Sequence, residues 1–246
     1  MLSKTNIKYI QSLHHKKLRE EAGCFIAEGP KVVKEFLSEG SFACEMICGL
    51  ERWCLTNSLL TATAPEGKIY VVDESELARI SLLQTPNQVV AVFRNKPTLE
   101  VKPGNKITIL LDDIRDPGNM GTIIRIADWF NIQNVVCSLS CVDCYNPKVV
   151  QASMGSLARV NILYTSPIEF ISDHKEVALY AATLDGDPVS SFQKIKEGLL
   201  LIGNESSGIQ SGLLEIALHK ITIPKYGKAD SLNAAVAAGI ILSHLV

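Results

Sequence analysis

The sequence predicts an α/β protein built in two parts, and three observations predict it. Short apolar runs alternate with helical stretches along the chain, the pattern of strands packed against helices. Residues 95–106, "NKPTLEVKPGNK", hold two prolines, a glycine and three lysines, a composition suited to a linker. Beyond it, three apolar strands run straight into polar loops, where open α/β sheets bind ligands. The expected organisation is a first domain over 1–95, a linker over 96–105 and a second domain over 106–246.

Composition narrows the function classes. A chain of 246 residues with 47% hydrophobic and 20% charged residues has ample material for a core. The net charge of −2 carries no global nucleic-acid signature, so any RNA or DNA contact must come from a local patch. No apolar run reaches the roughly 18 residues of a membrane span. The opening "MLSKTNIKYIQSLHHKK" lacks the apolar core of a secretory signal, and a cytoplasmic protein is expected. Seven irregularly spaced cysteines give no disulfide framework, which fits a reducing compartment. Cys141 and Cys144 are spaced like half a zinc site, but a second such pair or a nearby His pair is missing, so no metal is expected.

Taken in order, residues 1–19 carry Lys4, Lys8, Lys16, Lys17 and Arg19 with no acid. A helix is expected over 4–20, with Ile7, Ile10, Leu13 and Leu18 on its inner face. Lys16, Lys17 and Arg19 are candidate phosphate contacts, because cations supply sequence-independent affinity for a nucleic-acid backbone. A plain solvated helix face is the alternative. Cys24 to Ala27 reads as a strand, followed by a helix from Pro30 to about Ser38, ended by Gly40. "ACEMICGL", "KIYVVD" and "QVVAVFRN" are β-rich, with helices near 51–60 and 74–83. Nothing in this part looks catalytic.

The second part opens with "KITILLDDI", a buried strand ending in two carboxylates. In "RDPGNMGTIIRIADWF", Pro117 and Gly118 predict a turn, Asn119 a cap and residues 120–130 a helix, with Arg125 in its second turn. "GNMG" is no GxGxxG, which disfavours a dinucleotide-binding dehydrogenase. "NVVCS" reads as a strand, and a helix starts near Pro147. Two strands end at Thr183, Leu184 and Asp185 and at Gly203, Asn204 and Glu205; the third is "ITIPKYG". These ends define one expected crevice. The final helix is filled with small residues, and Asp230 or Ser231 is its expected cap. Asp230, Ser231 and Asn233 cluster at its positive dipole end.

Three segments, "DPGNMGTIIRIA" (116–127), "LIGNESSGI" (201–209) and "IPKYGKADSLNAAVAAGI" (223–240), resemble in order and spacing the three motifs of the SpoU, or TrmH-like, RNA 2′-O-ribose methyltransferases of the SPOUT superfamily. The likeness covers residues 106–246, and the first 95 or so resemble the family's small RNA-binding α/β extension. It implies a C-terminal domain with a mostly parallel sheet, helices on both faces and a deep trefoil knot, an exception to unknotted connections. It implies S-adenosylmethionine as cofactor, held by main-chain groups of Gly203, Ile223 and Leu232, with Ile202, Thr183 and Leu184 completing the wall. It implies a homodimer with the site completed at the subunit interface. By position in the motifs, the implied catalytic residues are Asn119, Arg125, Glu205, Ser231 and Asn233. Ser206, Ser207 and Lys225 depart from the family's usual residues.

The implied chemistry is methyl transfer from a sulfonium to a ribose hydroxyl, for which a protein mainly supplies positioning. A guanidinium keeps its proton in proteins. Arg125 is therefore expected to clamp a neighbouring phosphate, while the proton leaves through that phosphate or through Glu205. Ribosomal RNA is the expected substrate, with transfer RNA and a non-catalytic knotted RNA-binding protein as alternatives.

Overall fold

The computed structural model describes residues 2–62 and 64–246. The fold divides into two compact units: Met1–Pro97 with Asp143–Arg159, and Thr98–Val142 with Val160–Val246.

The chain begins with two helices, α1 (Lys4–Ser12) and α2 (Lys16–Ala22), where the periodicity predicts one. Arg19 stabilises the break. Its Nη1 donates to the carbonyls of Leu13 and His14, both at 3.0 Å, so the carbonyls freed at the interruption keep a partner. Ile7, Ile10 and Leu13 are buried as expected, whereas Leu18 is exposed. Strand β1 (Cys24–Glu28) leads through Gly29 into α3 (Pro30–Glu39), closed by Gly40 in the left-handed region. Then come β2 (Cys44–Leu50), α4 (Glu51–Thr56), α5 (Ser58–Thr61), β3 (Ile69–Val72), α6 (Glu74–Ile80) and β4 (Val89–Arg94). Asp73 and Glu76 form a reciprocal capping box at the start of α6. The sheet has the order β1-β4-β2-β3, antiparallel except for the β2–β3 pair. One face buries a ring cluster of Phe25, Phe36, Phe42 and Phe93.

After a stretch without regular structure, β5 (Ile107–Leu111), α7 (Pro117–Trp129) and β6 (Asn134–Cys137) follow. The chain then gives Asp143–Arg159 to the first unit, a membership that periodicity did not mark. Tyr145 stacks on Phe25 with ring centroids 4.8 Å apart, and α8 (Pro147–Ser153) lies beside β1. The second unit resumes with β7 (Asn161–Tyr164), α9 (Pro167–Asp173), β8 (Leu179–Pro188), β9 (Gly198–Ile202), α10 (Ser211–Glu215), β10 (His219–Thr222) and α11 (Ala234–Leu245).

Its six strands run in the order β10-β8-β9-β5-β6-β7, every pair parallel. β5, β9 and the first part of β8 are buried without a break, Thr108 being the one polar side chain of β5, because the sheet is covered on both faces. The order reverses where β8 crosses to the far side of β9. The ends of β10, β8 and β9 therefore lie side by side, where such sheets open a ligand crevice. β8 is longer than its apolar part, and its pairing with β10 shifts register between Lys220 and Ile221. Gly186 permits that shift, because a Cβ there would stand 2.4 Å from the Lys220 carbonyl carbon.

Two helix starts differ from the expectation. Asp116, not Asn119, caps α7, and its Oδ1 accepts from the Asn119 amide at 2.8 Å. Asn233, not Asp230 or Ser231, caps α11, accepting from the amides of Ala235 and Val236 at 3.0 and 3.2 Å. In both places the helix begins one turn away from where the polar residues alone suggested.

Candidate functional site

Parallel pairing of β10, β8 and β9 brings three loops to one edge, and between them lies a cavity of about 620 Å³. The loop after β9 forms one wall. It folds back so tightly that a Cβ on Gly203 would meet the Gly208 carbonyl carbon at 2.5 Å. Asn204 holds the turn: its Oδ1 accepts from the amides of Ser206 and Ser207, and its Nδ2 donates to the Asp113 carbonyl at 2.9 Å. Asp112, fully buried, fixes the far end of the loop, accepting from the amide of Gln210 at 2.9 Å and from its Nε2 at 2.7 Å. Both anchors sit at the end of β5, so the cavity wall is tied to the centre of the sheet.

Thr183, Leu184, Ile202, Gly203, Ile223 and Leu232 all line this cavity, together with Glu205 and Ser231. Asn119, Arg125 and Asn233 are not among the lining residues. Asn119 and Asn233 nevertheless reach it through a chain of amides. The two backbone donors on Asn233 Oδ1 fix its orientation, so its Nδ2 donates to Asn119 Oδ1 at 2.6 Å. Asn119 Nδ2 is then left to donate to Glu205 Oε1, and it does. The helix cap of α11 thus sets the donor direction all the way to the carboxylate on the cavity wall. Arg125 lies on the exposed side of α7 with no acidic partner among the described residues.

The lining has a definite chemical preference. Asp185, Glu205 and Asp230 face a single cation, Lys225, which favours a ligand carrying positive charge. Ile202, Ile209, Leu214, Ile221 and Ile241 supply apolar surface for a flat or aliphatic group. Thr183 Oγ1 is buried with no partner among the described residues, a polar atom with bonding capacity left for a ligand. These features fit S-adenosylmethionine, with its sulfonium, its adenine ring and its ribose hydroxyls. No group of three or more His, Cys, Asp or Glu side chains able to hold a metal occurs among the described residues.

Of the candidate phosphate contacts in the first unit, Lys16 and Lys17 are exposed and, among the described residues, pair only with Glu20 and Glu21 one turn on. Arg19 is a correction. It is 2% exposed, and its Nη2 bonds Asp143 at 2.7 Å, so its charge is spent inside the fold. Asp143 is far away in sequence, which is why the basic run alone suggested a surface role.

The fold and cavity define an open α/β protein that binds a cationic, partly apolar ligand at the carboxyl ends of parallel strands. Comparison with known proteins makes this specific. The sequence profile of the SpoU rRNA Methylase family matches residues 106–243, and that of the MRM3-like substrate binding domain matches residues 4–91. The chain is 30% identical over 242 residues to the 23S rRNA (guanosine(2553)-2′-O)-methyltransferase RlmP of Bacillus subtilis (strain 168), covering 97% of this chain and 95% of that one. It superposes on the AdoMet-bound rRNA methyltransferase of Sinorhizobium meliloti with a TM-score of 0.87 at 31% identity, covering 98% and 95%. It superposes on the SpoU methyltransferase AviRb of Streptomyces viridochromogenes, solved with AdoMet, with a TM-score of 0.84 at 26% identity, covering 98% and 96%. The chain belongs to the SpoU rRNA methylase family.

Proposed function

We propose that this protein is an S-adenosylmethionine-dependent methyltransferase acting on a ribose 2′-hydroxyl in ribosomal RNA. The observation that carries this reading is the amide chain Asn233–Asn119–Glu205 at the wall of a cavity with net negative lining. Relatives that act on 23S rRNA, at a guanosine in the case of RlmP, support the substrate class.

When bound, the cofactor supplies a methyl group already activated by a positive sulfur. The protein's share is placement. Main-chain groups of Gly203, Ile223 and Leu232 hold the adenosine part, and Thr183, Leu184 and Ile202 close around it. Asn119 donates to Glu205 and keeps its carboxylate in one orientation, with the second oxygen free to take the proton of the ribose hydroxyl. Ser231 stands on the opposite loop as a donor to the ribose. Arg125 grips the adjoining phosphate in two-point contact and aligns the sugar.

Arg125 faces outward, so it works on the site of a second copy. Trp129 on the same helix is 84% exposed and Val236 on α11 is 50% exposed, an apolar surface that supports homodimer formation across α7 and α11. The first unit binds the RNA substrate, α11 passes through a loop to make the trefoil knot, and the protein works in the cytoplasm.

Mapping ribose methylation across total RNA with and without the gene tests the activity. Loss of the modification at one nucleotide is expected, and an unchanged map would sink the proposal. Arg125→Lys tests the clamp. It should lose most of the rate while S-adenosylmethionine affinity, measured by calorimetry, holds. A loss of cofactor affinity instead would take Arg125 out of that role.

A further inference from the structure

The first unit holds a second cavity, of about 540 Å³, which the methyl-transfer chemistry does not use. It lies between the start of α3, the β2–α4 junction and the approach to β4. Lys34 and Arg52 line it, no acidic residue does, and neither cation has a carboxylate partner among the described residues. Pro30, in the first turn of α3, forms part of the wall and brings no N–H of its own, so Lys34 and Arg52 are the charged donors at the site.

A second observation points the same way. Trp53 lines the cavity, is 3% exposed, and its Nε1–H has no acceptor among the described residues. An indole nitrogen can only donate, so the group that satisfies it must bring an oxygen or an unprotonated nitrogen. The ring's place is built in. A Cβ on Gly49 would stand 2.8 Å from Cys54 Sγ and 3.1 Å from Trp53 Cε3, so the glycine leaves room for the indole against β2. Asn57 Nδ2 donates to the Trp53 carbonyl at 2.7 Å and holds α4 closed beneath the ring. Gln88, with φ of 60°, puts a further amide at the rim.

We infer that this cavity takes an unpaired nucleotide of the substrate RNA, its phosphate on Lys34 and Arg52, and a base or sugar acceptor toward Trp53. A free inorganic anion would use the cations but would leave the amides and most of the space unfilled. A protein partner finds little here, since the cavity presents two charges of one sign and a donor-only ring. The inference rests on the reading of the protein as an RNA methyltransferase and deepens it, because it moves the substrate grip from the α2 lysines to the α3–α4 cavity.

The test uses the full-length protein carrying Lys34→Glu with Arg52→Glu, beside a second variant carrying Lys16→Glu with Lys17→Glu. Bulk RNA from cells lacking the gene serves as methyl acceptor, and a labelled single-stranded RNA of mixed sequence serves as an anisotropy probe. The cavity variant should raise the KM for RNA about tenfold or more while kcat and cofactor affinity stay within about twofold. Its RNA affinity should also lose about 0.7 from the slope against salt, the value for one single-strand phosphate contact. The α2 variant should change KM by less. The inference is overturned if the cavity variant binds RNA as wild type does, or if the loss appears only in the α2 variant. If wild type methylates no RNA, the proposed activity fails. A loss of probe binding confined to the cavity variant would still support the site itself.

Discussion

The two units carry cavities of similar size and opposite character. In the second unit about 620 Å³ is ringed by Asp185, Glu205 and Asp230 against Lys225 alone; in the first, about 540 Å³ is ringed by Lys34 and Arg52 with no acid. One suits a small cation, the other a piece of a polyanion. The sheets differ in the same sense. An all-parallel sheet gathers the carboxyl ends of its strands at one edge, so loops far apart in sequence meet there. A mostly antiparallel sheet sends strand ends both ways, and its cavity is built from a helix start and a strand–helix junction instead. The difference explains how a chain with a net charge of −2 can handle RNA, with its cations concentrated locally.

The charge that holds the first unit together gives the largest expected effect. Asp143→Ala leaves the buried Arg19 guanidinium without its counter-charge, a loss of about 3–5 kcal/mol in denaturant unfolding. An effect below about 1 kcal/mol would mean that Arg19 is held by the Leu13 and His14 carbonyls alone. In the second unit Asn119→Ala should cost about 100-fold in methyl transfer, about 2.7 kcal/mol, because the Glu205 carboxylate loses its fixed orientation. Cofactor affinity should hold, which calorimetry checks. Gly203→Ala should cost about 1–3 kcal/mol of stability and weaken cofactor binding, since the new methyl meets backbone rather than a side chain that can yield. A stability loss of equal size in cofactor-free and cofactor-saturated protein would separate the loop from the ligand.

The smallest effect depends on pH. The Cys141 thiol is pulled from an ordinary 9.0 down to about 7, first by the hydrogen bond from Cys137, with Ser138 and the Ile114 amide adding to it against the pull of burial. A folded value below the unfolded one gives stability that is present in full above about pH 9 and lost as pH falls through about 7. Wild type should therefore gain thermal stability between pH 7 and 9 relative to Cys141→Ser. Parallel pH profiles for the two proteins would remove the thiolate from the account.

Much of the candidate cavity was legible because its residues lie within short segments. Gly203, Asn204 and Glu205 follow a continuous apolar strand, and a carboxylate beside an amide in a tight turn is a recognisable signal. Thr183 lies at the end of the apolar part of β8, and Ile223 directly follows β10. What escaped the sequence depended on distant partners. Arg19 reads as a surface cation until Asp143 is seen beside it. Asn119 reads as a helix cap and Asn233 as part of a polar cluster at a helix start, but their hydrogen bond joins residues 114 positions apart. Asp112 was visible as a carboxylate at a strand end, while its task of holding Gln210 was not.

By itself the sequence determined the alternation of strands and helices, the apolar runs that must be buried on two faces, and the glycines and prolines where the backbone has to turn. These are local consequences of side-chain shape, periodicity and φ preference. Tertiary structure alone decided which strand ends became neighbours, which cations stayed exposed, and that Asp143–Arg159 joins the first unit. The reason is physical: hydrogen bonds, desolvation and ion pairing depend on distance in space, and a linear order of residues does not contain that distance.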